Sequence, residues 1–103
     1  MAKYVKAVST SELSTGKKKT VLVAGKKITL ANIGGEFFAI DDACTHAGCS
    51  LGEEGTLLGS TIICGCHGGQ FDIHNGRVVS PPPQKPVTVY PVKIKGDDVM
   101  VSV

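Results

Sequence analysis

Two short clusters decide the fold of this chain: Cys44-Thr45-His46-Ala47-Gly48-Cys49 and Cys64-Gly65-Cys66-His67-Gly68-Gly69. Together they contain all four cysteines and two of the three histidines. Thiolate sulfur and neutral imidazole are the ligands that iron–sulfur clusters and zinc select. Each cluster can present one sulfur and one nitrogen from a tight loop, and 17 residues separate His46 from Cys64. Such a mixed set, split over two loops, suits a binuclear iron site in which one iron binds sulfur and the other binds nitrogen.

These residues resemble a known motif. Cys44-Thr45-His46 and Cys64-Gly65-Cys66-His67-Gly68 are similar to the two halves of the Rieske [2Fe–2S] motif, and Phe71-Asp72 follows where Rieske sequences usually carry an aromatic residue and an aspartate. The resemblance continues through Pro81-Pro82-Pro83 to the closing residues 90–92 and 96–99. It implies one [2Fe–2S] cluster per chain. The ligands it implies are Cys44 and Cys64 on one iron and His46 and His67 on the other.

Spacing alone does not fix this pairing of ligands. A mononuclear zinc site is the alternative, although zinc fingers use a different loop spacing. Histidine ligation also has an electrostatic consequence, because two ferric ions, two sulfides and two thiolates sum to zero charge. A neutral cluster accepts an electron more easily than a negative one, so the histidines raise the reduction potential. In the family the second nitrogen of each imidazole faces solvent, which implies a short route for an electron to a docked partner.

Cys49 and Cys66 fall outside the four-ligand set. In Rieske proteins of the cytochrome bc type, matching cysteines join the two cluster loops by a disulfide, whereas most small dioxygenase-type ferredoxins lack them. The resemblance therefore implies a Cys49–Cys66 disulfide, although a cytoplasmic compartment normally keeps thiols reduced. The alternative is a pair of buried free thiols.

Glycines and prolines surround the implied ligands. We expect four glycines to let the backbone approach the cluster and to place N–H groups on its sulfurs, with ordinary turn glycines as the alternative: Gly48, Gly65, Gly68 and Gly69. Gly65 stands where the family often has proline, and we expect it to free the loop backbone. Pro81 belongs to Ser80-Pro81-Pro82-Pro83, which resembles the loop that covers the cluster in the family; an ordinary linker is the alternative.

Gly69 and Phe71 bear on the reduction potential. Quinol-oxidising members of the family usually carry serine and tyrosine at these positions, and their hydroxyl groups donate hydrogen bonds that favour the reduced cluster. Neither residue of this chain has a hydroxyl. We therefore expect a potential in the lower part of the Rieske range, which spans about −150 to +300 mV.

The rest of the chain is typical of short strands and turns. Alternating apolar residues predict antiparallel strands, joined by hairpin turns at Gly34-Gly35, Asn75-Gly76 and Gly96-Asp97. His74, before the Asn75-Gly76 turn, is interpreted as solvated. The predicted strands are 4–8, 21–24, 28–33, 36–40, 61–63, 70–73, 77–79, 87–95 and 99–103, with turns at 53–55 and 59–60 and at most one helical turn at 9–13. Residues 1–40 are expected to form one antiparallel meander.

These elements predict an all-β fold in a single domain, residues 1–103. We expect a Rieske-type antiparallel β-sandwich or barrel-like base, about 1–40 and 87–103, with an inserted cluster-binding subdomain at about 41–86. A chain of 103 residues with 42% hydrophobic residues supports one small core.

Charge and hydropathy limit the class of partner. The net charge of +2 is too small to argue for nucleic acid, and the lysines at 17–19 and 26–27 are interpreted as solvated strand ends. No apolar run approaches the roughly 18 residues that span a bilayer, and the N-terminus lacks the apolar stretch of a signal peptide. We expect a soluble, cytoplasmic monomer without membrane insertion; a fragment of an anchored parent is the alternative.

These observations favour an electron-transfer protein over an enzyme, because the chain has no room for a second catalytic domain. We expect a Rieske-type ferredoxin that carries one electron between a reductase and an oxygenase or other acceptor. The alternatives are a Rieske subunit or excised domain of a quinol-oxidising or arsenite-oxidising complex, which the extra cysteines favour, and a zinc-stabilised interaction module. Redox partners are expected to dock at the His46 and His67 tip. Nearby acidic residues would attract a basic partner or form a solvated face: Asp41, Asp42, Glu53 and Glu54.

Overall fold

The computed structural model describes residues 3–45, 48–66, 68–81, 83 and 85–103. Most of this part of the chain is antiparallel strand, with a 3-10 turn (Thr10–Glu12) and a one-turn helix, α1 (Leu51–Glu54). The strands are β1 (Tyr4–Ser9), β2 (Lys18–Val23), β3 (Lys26–Ile33), β4 (Glu36–Asp41), β5 (Thr56–Leu58), β6 (Thr61–Ile63), β7 (Gln70–Asp72), β8 (Val78–Ser80), β9 (Val89–Tyr90), β10 (Val92–Lys95) and β11 (Asp98–Ser102). Within the described ranges, no helix is both long and apolar enough to cross a membrane.

The strands form three antiparallel sheets, in the orders β1-β11-β10, β2-β3-β4-β9 and β5-β6-β7-β8. The β2–β3 hairpin turns at Ala24-Gly25, where both residues have positive φ (51° and 82°), as tight antiparallel hairpins require. In the third sheet, β6 ends directly before Cys64 and β7 begins directly after Gly69. The second cysteine cluster is therefore the loop of a β6–β7 hairpin.

The second sheet separates two hydrophobic cores. Successive side chains of a strand point to opposite faces, so Ile28 and Leu30 of β3 pack into the first core while Ala31 packs into the second. The first core also contains Val8, Leu13, Val21, Val23, Ala39, Val99 and Val101. The second core also contains Ile40, Cys44, Leu51, Ile62, Cys64, Phe71, Ile73 and Val87. Both cysteine clusters are therefore anchored on the same core.

The predicted fold class is confirmed, and so are most of the predicted hairpins. The β3–β4 connection is Gly34-Gly35, the β7–β8 connection contains Asn75-Gly76, and the β10–β11 turn is Gly96-Asp97. The helical turn predicted at 9–13 is the 3-10 turn, where the Glu12 carboxylate accepts the Ser9 N–H at 2.9 Å. The division into a base and an inserted subdomain stays a prediction.

Three predictions are wrong. Residues 1–40 do not form one meander, because β1 pairs with β11 in another sheet. The predicted turn at 53–55 overlaps a helix, α1, whose N-terminus is capped by the Ser50 hydroxyl accepting the Glu53 N–H at 3.1 Å. The predicted strand at 87–95 is broken at Pro91, which has no N–H to donate. Its halves, β9 and β10, lie in different sheets, and Ile94 is 49% exposed.

Candidate metal centre

The first cysteine cluster is a tight loop that begins at a buried residue. The Cys44 N–H donates to the Cys49 carbonyl (2.9 Å), and the Gly48 N–H donates to the Cys44 carbonyl (2.8 Å). Gly48 has a φ of 72°, which glycine adopts without a steric penalty. These bonds fix the backbone on both sides of Cys44.

The second cysteine loop, from Cys64 to Gly69, has the same pattern of hydrogen bonds. The Cys64 N–H donates to the Gly69 carbonyl (2.7 Å), the Gly68 N–H donates to the Cys64 carbonyl (3.0 Å), and Gly68 has a φ of 74°. Cys44 and Cys64 therefore occupy equivalent positions in matched loops. The Gly48 and Gly68 N–H groups donate to cysteine carbonyls here, and the expectation that the loop glycines place N–H groups on cluster sulfurs stays a prediction.

Three of the cysteine sulfurs converge where the two loops meet, and the Cys44 sulfur is not among them. Cys44 and Cys64 are each 2% exposed. The Sγ atoms of Cys49, Cys64 and Cys66 all lie within 4.8 Å of one another. The two predicted histidine ligands lie outside the described residues: His46 and His67.

The donor set fits a [2Fe–2S] cluster. Such clusters are held by cysteine thiolates, with histidine replacing cysteine on one iron in Rieske centres. Cys44 and Cys64 supply one buried sulfur from each loop, and each loop also contains one histidine. A buried cysteine can be an inert small hydrophobe, but inert packing does not require two loops with the same hydrogen bonds. Cys44 and Cys64 are the residues that would hold one iron.

A disulfide joins the two loops, as the resemblance implies. It links Cys49, at the end of the first loop, to the exposed Cys66 of the second. Their Cα atoms are 6.5 Å apart, within the usual range for disulfides. Because the cross-link closes the segment that contains α1, β5 and β6, it restrains the relative positions of the two loops.

Replacing both disulfide cysteines, in Cys49→Ser/Cys66→Ser, is expected to destabilise the cluster-free protein by about 3 kcal/mol, because a cross-link over a segment of this length restricts the unfolded chain by that amount. The loss should be smaller with the cluster bound, since its ligands also join the two loops. Denaturant unfolding of the cluster-free and cluster-bound proteins, with and without a dithiol reductant, measures the two losses in the free energy of unfolding. Reduced wild type should unfold like the double variant; equal stability of the oxidised and reduced proteins would contradict the prediction.

Helix α1 packs its C-terminal end against the second loop. A Cβ atom at Gly65 would collide with the Glu54 carbonyl oxygen. Gly65 is therefore required for a close approach of two backbone segments. The expectation that it frees the loop backbone stays a prediction. The Glu54 carboxylate lies 3.8 Å from the Cys66 Sγ. A disulfide sulfur has no proton to donate, so this is a packing contact.

Asp42 connects the cysteine region to the second sheet. It is 3% exposed, and one carboxylate oxygen accepts hydrogen bonds from Thr20 Oγ1 (2.8 Å), Thr29 Oγ1 (2.8 Å) and the Gly52 N–H (2.9 Å). Thr20 and Thr29 belong to β2 and β3, whereas Gly52 belongs to α1. One carboxylate thus ties α1 to the sheet, two residues before Cys44.

The same contacts control the ionisation of Asp42. Burial opposes the charged form, but hydrogen bonds from Ser50, Gly52, Thr29 and Thr20 outweigh it and lower the pKa of this carboxyl below its ordinary value. The prediction that Asp42 helps to attract a basic partner is wrong, because its carboxylate is buried and occupied. Glu53 and Glu54 are exposed, as that prediction requires.

Asp41 is also occupied by a hydrogen bond. Its Oδ1 atom accepts the Tyr90 hydroxyl at 2.6 Å, which joins β4 to β9. Burial of Tyr90, followed by this bond and the charge of Asp41, raises the pKa of the phenol to about 12. Sequence reasoning missed the pair, because 49 residues separate its members and neither belongs to a recognised motif.

We expect Tyr90→Phe to remove a pH-dependent part of the stability. The folded pKa of Tyr90 is about 12, above the value of about 10 in an unfolded chain. The protonated phenol therefore stabilises the fold fully below pH ~10, and this contribution is lost as the pH rises toward ~12. Unfolding midpoints between pH 8 and 11 measure the difference from wild type. Tyr4→Phe is the matched control, and a difference that does not shrink with rising pH would contradict the assignment.

The proline segment is attached to the first loop by a residue that sequence reasoning did not select. The Thr45 hydroxyl donates to the Lys85 carbonyl at 2.7 Å. Pro83 is buried, whereas Pro81, the predicted cluster neighbour, is exposed; Pro82 and Gln84 lie outside the described residues. The Thr45 bond holds the end of this segment beside the loop that contains Cys44.

The remaining predicted site residues divide by burial. Phe71 is fully buried in the second core, and Gly69 is also buried. His74 is exposed, as predicted. Its backbone N–H donates to Asp72 Oδ1 (2.9 Å), and its ring packs edge-on against Phe38 with ring centres 4.6 Å apart. These contacts serve the β7–β8 turn.

Comparisons with known proteins agree with this site. The family model of the Rieske [2Fe-2S] domain matches residues 3–91. The biphenyl dioxygenase ferredoxin subunit of Pseudomonas sp. strain KKS102 is 43% identical over 99 residues, covering 96% of this chain and 91% of that protein. The Sphingomonas yanoikuyae B1 ferredoxin has a TM-score of 0.91 at 29% identity, covering 98% and 99% of the two chains. A structure described as a complex of oxygenase and ferredoxin in carbazole 1,9a-dioxygenase gives 0.90 at 34% identity, covering 96% and 92%.

The fold and the paired cysteine loops define an iron–sulfur protein. The chain belongs to the Rieske [2Fe-2S] domain family. It is a Rieske-type ferredoxin, an electron carrier rather than an enzyme, and its cofactor is a [2Fe–2S] cluster.

Proposed function

We propose that this ferredoxin passes single electrons from a reductase to the oxygenase of a ring-hydroxylating dioxygenase system, in the cytoplasm and as a monomer. The observation that carries the proposal is the pair of matched loops that begin at the buried residues Cys44 and Cys64. Relatives that match nearly the whole chain are ferredoxin components of dioxygenase systems. When bound, the [2Fe–2S] cluster takes up and releases one electron at a time.

The chain's own residues hold the site, shield it and present it to a partner. We propose that Cys44 and Cys64 ligate one iron and that His46 and His67 ligate the other. The second core shields the cysteine side from water, because both thiols lie among apolar side chains. The Cys49–Cys66 disulfide and the Asp42 hydrogen bonds fix the two loops to each other and to the sheet. We propose that the partner docks at the tip that carries the histidines.

A second candidate is a Rieske subunit of a quinol-oxidising complex. The observation that favours it is the Cys49–Cys66 disulfide, which resembles that of the cytochrome bc-type members. Gly69 and Phe71 argue against it, because they supply no hydroxyl group to stabilise a reduced cluster.

Redox titration of the cluster-loaded protein separates the two candidates. We expect one electron per chain and a potential in the lower part of the range of about −150 to +300 mV. Phe71→Tyr should raise the potential by about 65 to 130 mV, because a new hydrogen bond to a charged acceptor favours the reduced state by roughly 1.5–3 kcal/mol. Phe71→Leu, which adds no hydroxyl, is the control. A wild-type potential near the top of the range would support the quinol-oxidising candidate and contradict the proposed function.

A further inference from the structure

A cleft of about 400 Å³ opens beside the first cysteine loop. Gly48 of that loop lines one side, and Tyr90 of β9 lines another. Lys26 and Lys27, which follow the turn of the β2–β3 hairpin, also line the cleft. Both lysines are exposed, so the lysine pair interpreted from sequence as a solvated strand end borders the cluster site.

The cationic groups of this cleft are available, whereas its carboxylates are occupied. Asp42 is buried and accepts three hydrogen bonds, and Asp41 accepts the Tyr90 hydroxyl. Neither Lys26 nor Lys27 forms an ion pair within 4.0 Å with a described residue. The ion pairs of the described residues involve Lys6, Lys19 and His74. The Lys26 ammonium lies 5.7 Å from the centre of the Tyr90 ring. Two positive charges therefore face solvent at this edge of the site.

The other edge of the site has the opposite charge. Glu53 and Glu54 of α1 are exposed, and α1 abuts the second loop through the close approach of Glu54 to Gly65. The two loops meet at the Cys49–Cys66 disulfide. The site thus has a positive border on the first loop and a negative border on the second. A bipolar surface of this kind favours one rotational orientation of a charged partner and increases the rate of productive encounter.

We propose that the cleft formed by Lys26 and Lys27 receives acidic side chains of the oxygenase, so that the electron-accepting complex forms in one orientation. This inference rests on the proposed function, because it requires an oxygenase partner. Lysine ammonium groups without an ion pair on their own chain can pair with carboxylates across an interface, and such complementary charges steer the encounter and fix its orientation.

Stopped-flow oxidation of the reduced ferredoxin tests the proposal, with the purified oxygenase of the biphenyl dioxygenase system of Pseudomonas sp. strain KKS102 as the probe. Lys26→Glu/Lys27→Glu should lower the second-order rate constant at low salt by ~10-fold or more. The difference should shrink as salt rises toward ~1 M, where the screening length falls to ~3 Å. The visible spectrum should be unchanged.

Lys17→Glu/Lys95→Glu is the matched control, because it changes the net charge equally at two exposed lysines that do not line the cleft. It should stay within ~3-fold of wild type, the size expected for a mutated charge outside the contact. Carbodiimide coupling adds a direct readout, because it joins a lysine amine to a partner carboxylate with loss of water. The cross-linked peptides should contain Lys26 or Lys27.

Equal slowing of both double variants would overturn the inference, because net charge alone would explain the rates. Faster oxidation of Lys26→Glu/Lys27→Glu would overturn it too, by showing that the cleft faces basic groups. If Lys26→Glu/Lys27→Glu slows electron transfer from the reductase but not to the oxygenase, the inference is also overturned, because the cleft would then bind the reductase. Failure of wild type to reduce the oxygenase would contradict the proposed function itself, and that failure is seen before any variant is measured.

Discussion

Cys44→Ala and Cys64→Ala are each expected to leave less than about a tenth of the wild-type iron and inorganic sulfide in the purified protein, because ligand loss abolishes most of the binding free energy of a site built from few ligands. The two residues occupy equivalent positions in matched loops, and both are buried. The second sulfur of each loop, from Cys49 or Cys66, is held in the disulfide. Iron and acid-labile sulfide, measured on anaerobically purified protein, give the result directly.

The control is Cys49→Ser/Cys66→Ser, which removes the other two cysteines. It should retain most of the iron, because the disulfide restrains the loops and does not ligate the metal. Loss of iron from this variant, with retention in Cys44→Ala, would reverse the assignment of the two cysteine pairs. The histidines allow a parallel comparison: His46→Ala and His67→Ala should lose the cluster, whereas His74→Ala should keep it, since His74 is exposed in the β7–β8 turn.

Asp42→Ala is expected to cause a large loss of stability. It leaves two threonine hydroxyls and the Gly52 N–H without their acceptor. Each unsatisfied buried donor costs about 1–3 kcal/mol, so we expect a total of about 3 kcal/mol or more after water reaches the partly buried groups. Denaturant unfolding measures the loss, and hydrogen exchange at the Gly52 amide should lose its protection.

Asp42→Asn and Glu36→Gln complete the comparison. The asparagine amide keeps one acceptor oxygen, so its effect should be intermediate, whereas the exposed Glu36 should change stability by no more than about 0.5 kcal/mol. The folded pKa of Asp42 is lowered, so its contribution is present above the unfolded value of about 3.9 and is lost as the pH falls through the folded value. Equal stability of Asp42→Ala and wild type at neutral pH would contradict this role.

Most of the correct predictions came from the spacing of the cysteines and histidines. Those residue types are rare and chemically restrictive, so their pattern pointed to the cofactor, the family and the two-loop site. The hairpins with Gly34-Gly35, Asn75-Gly76 and Gly96-Asp97 were predictable for a local reason, because tight antiparallel turns require positive φ. Helix α1 was missed, although Ser50-Leu51-Gly52-Glu53 has the spacing of a capping box.

What sequence reasoning missed depends on contacts between distant residues. A valine-rich β1 shows that a strand exists but not that its partner is β11, at the other end of the chain. An aspartate after a strand suggests a surface charge, and only the fold shows that Thr20, Thr29 and Gly52 surround Asp42. Likewise, the need for glycine at position 65 arises from the approach of Glu54, which the local sequence does not reveal.

Pulsed electron paramagnetic resonance of the reduced protein tests the ligand set most directly, because it detects nitrogen nuclei bonded to the iron. Two cysteines and two histidines as ligands predict two strongly coupled imidazole nitrogens per cluster. A spectrum without coupled nitrogen would instead mean that Cys49 and Cys66, whose sulfurs lie within 4.8 Å of the Cys64 sulfur, complete an all-cysteine set, and the assignment of His46 and His67 would be wrong.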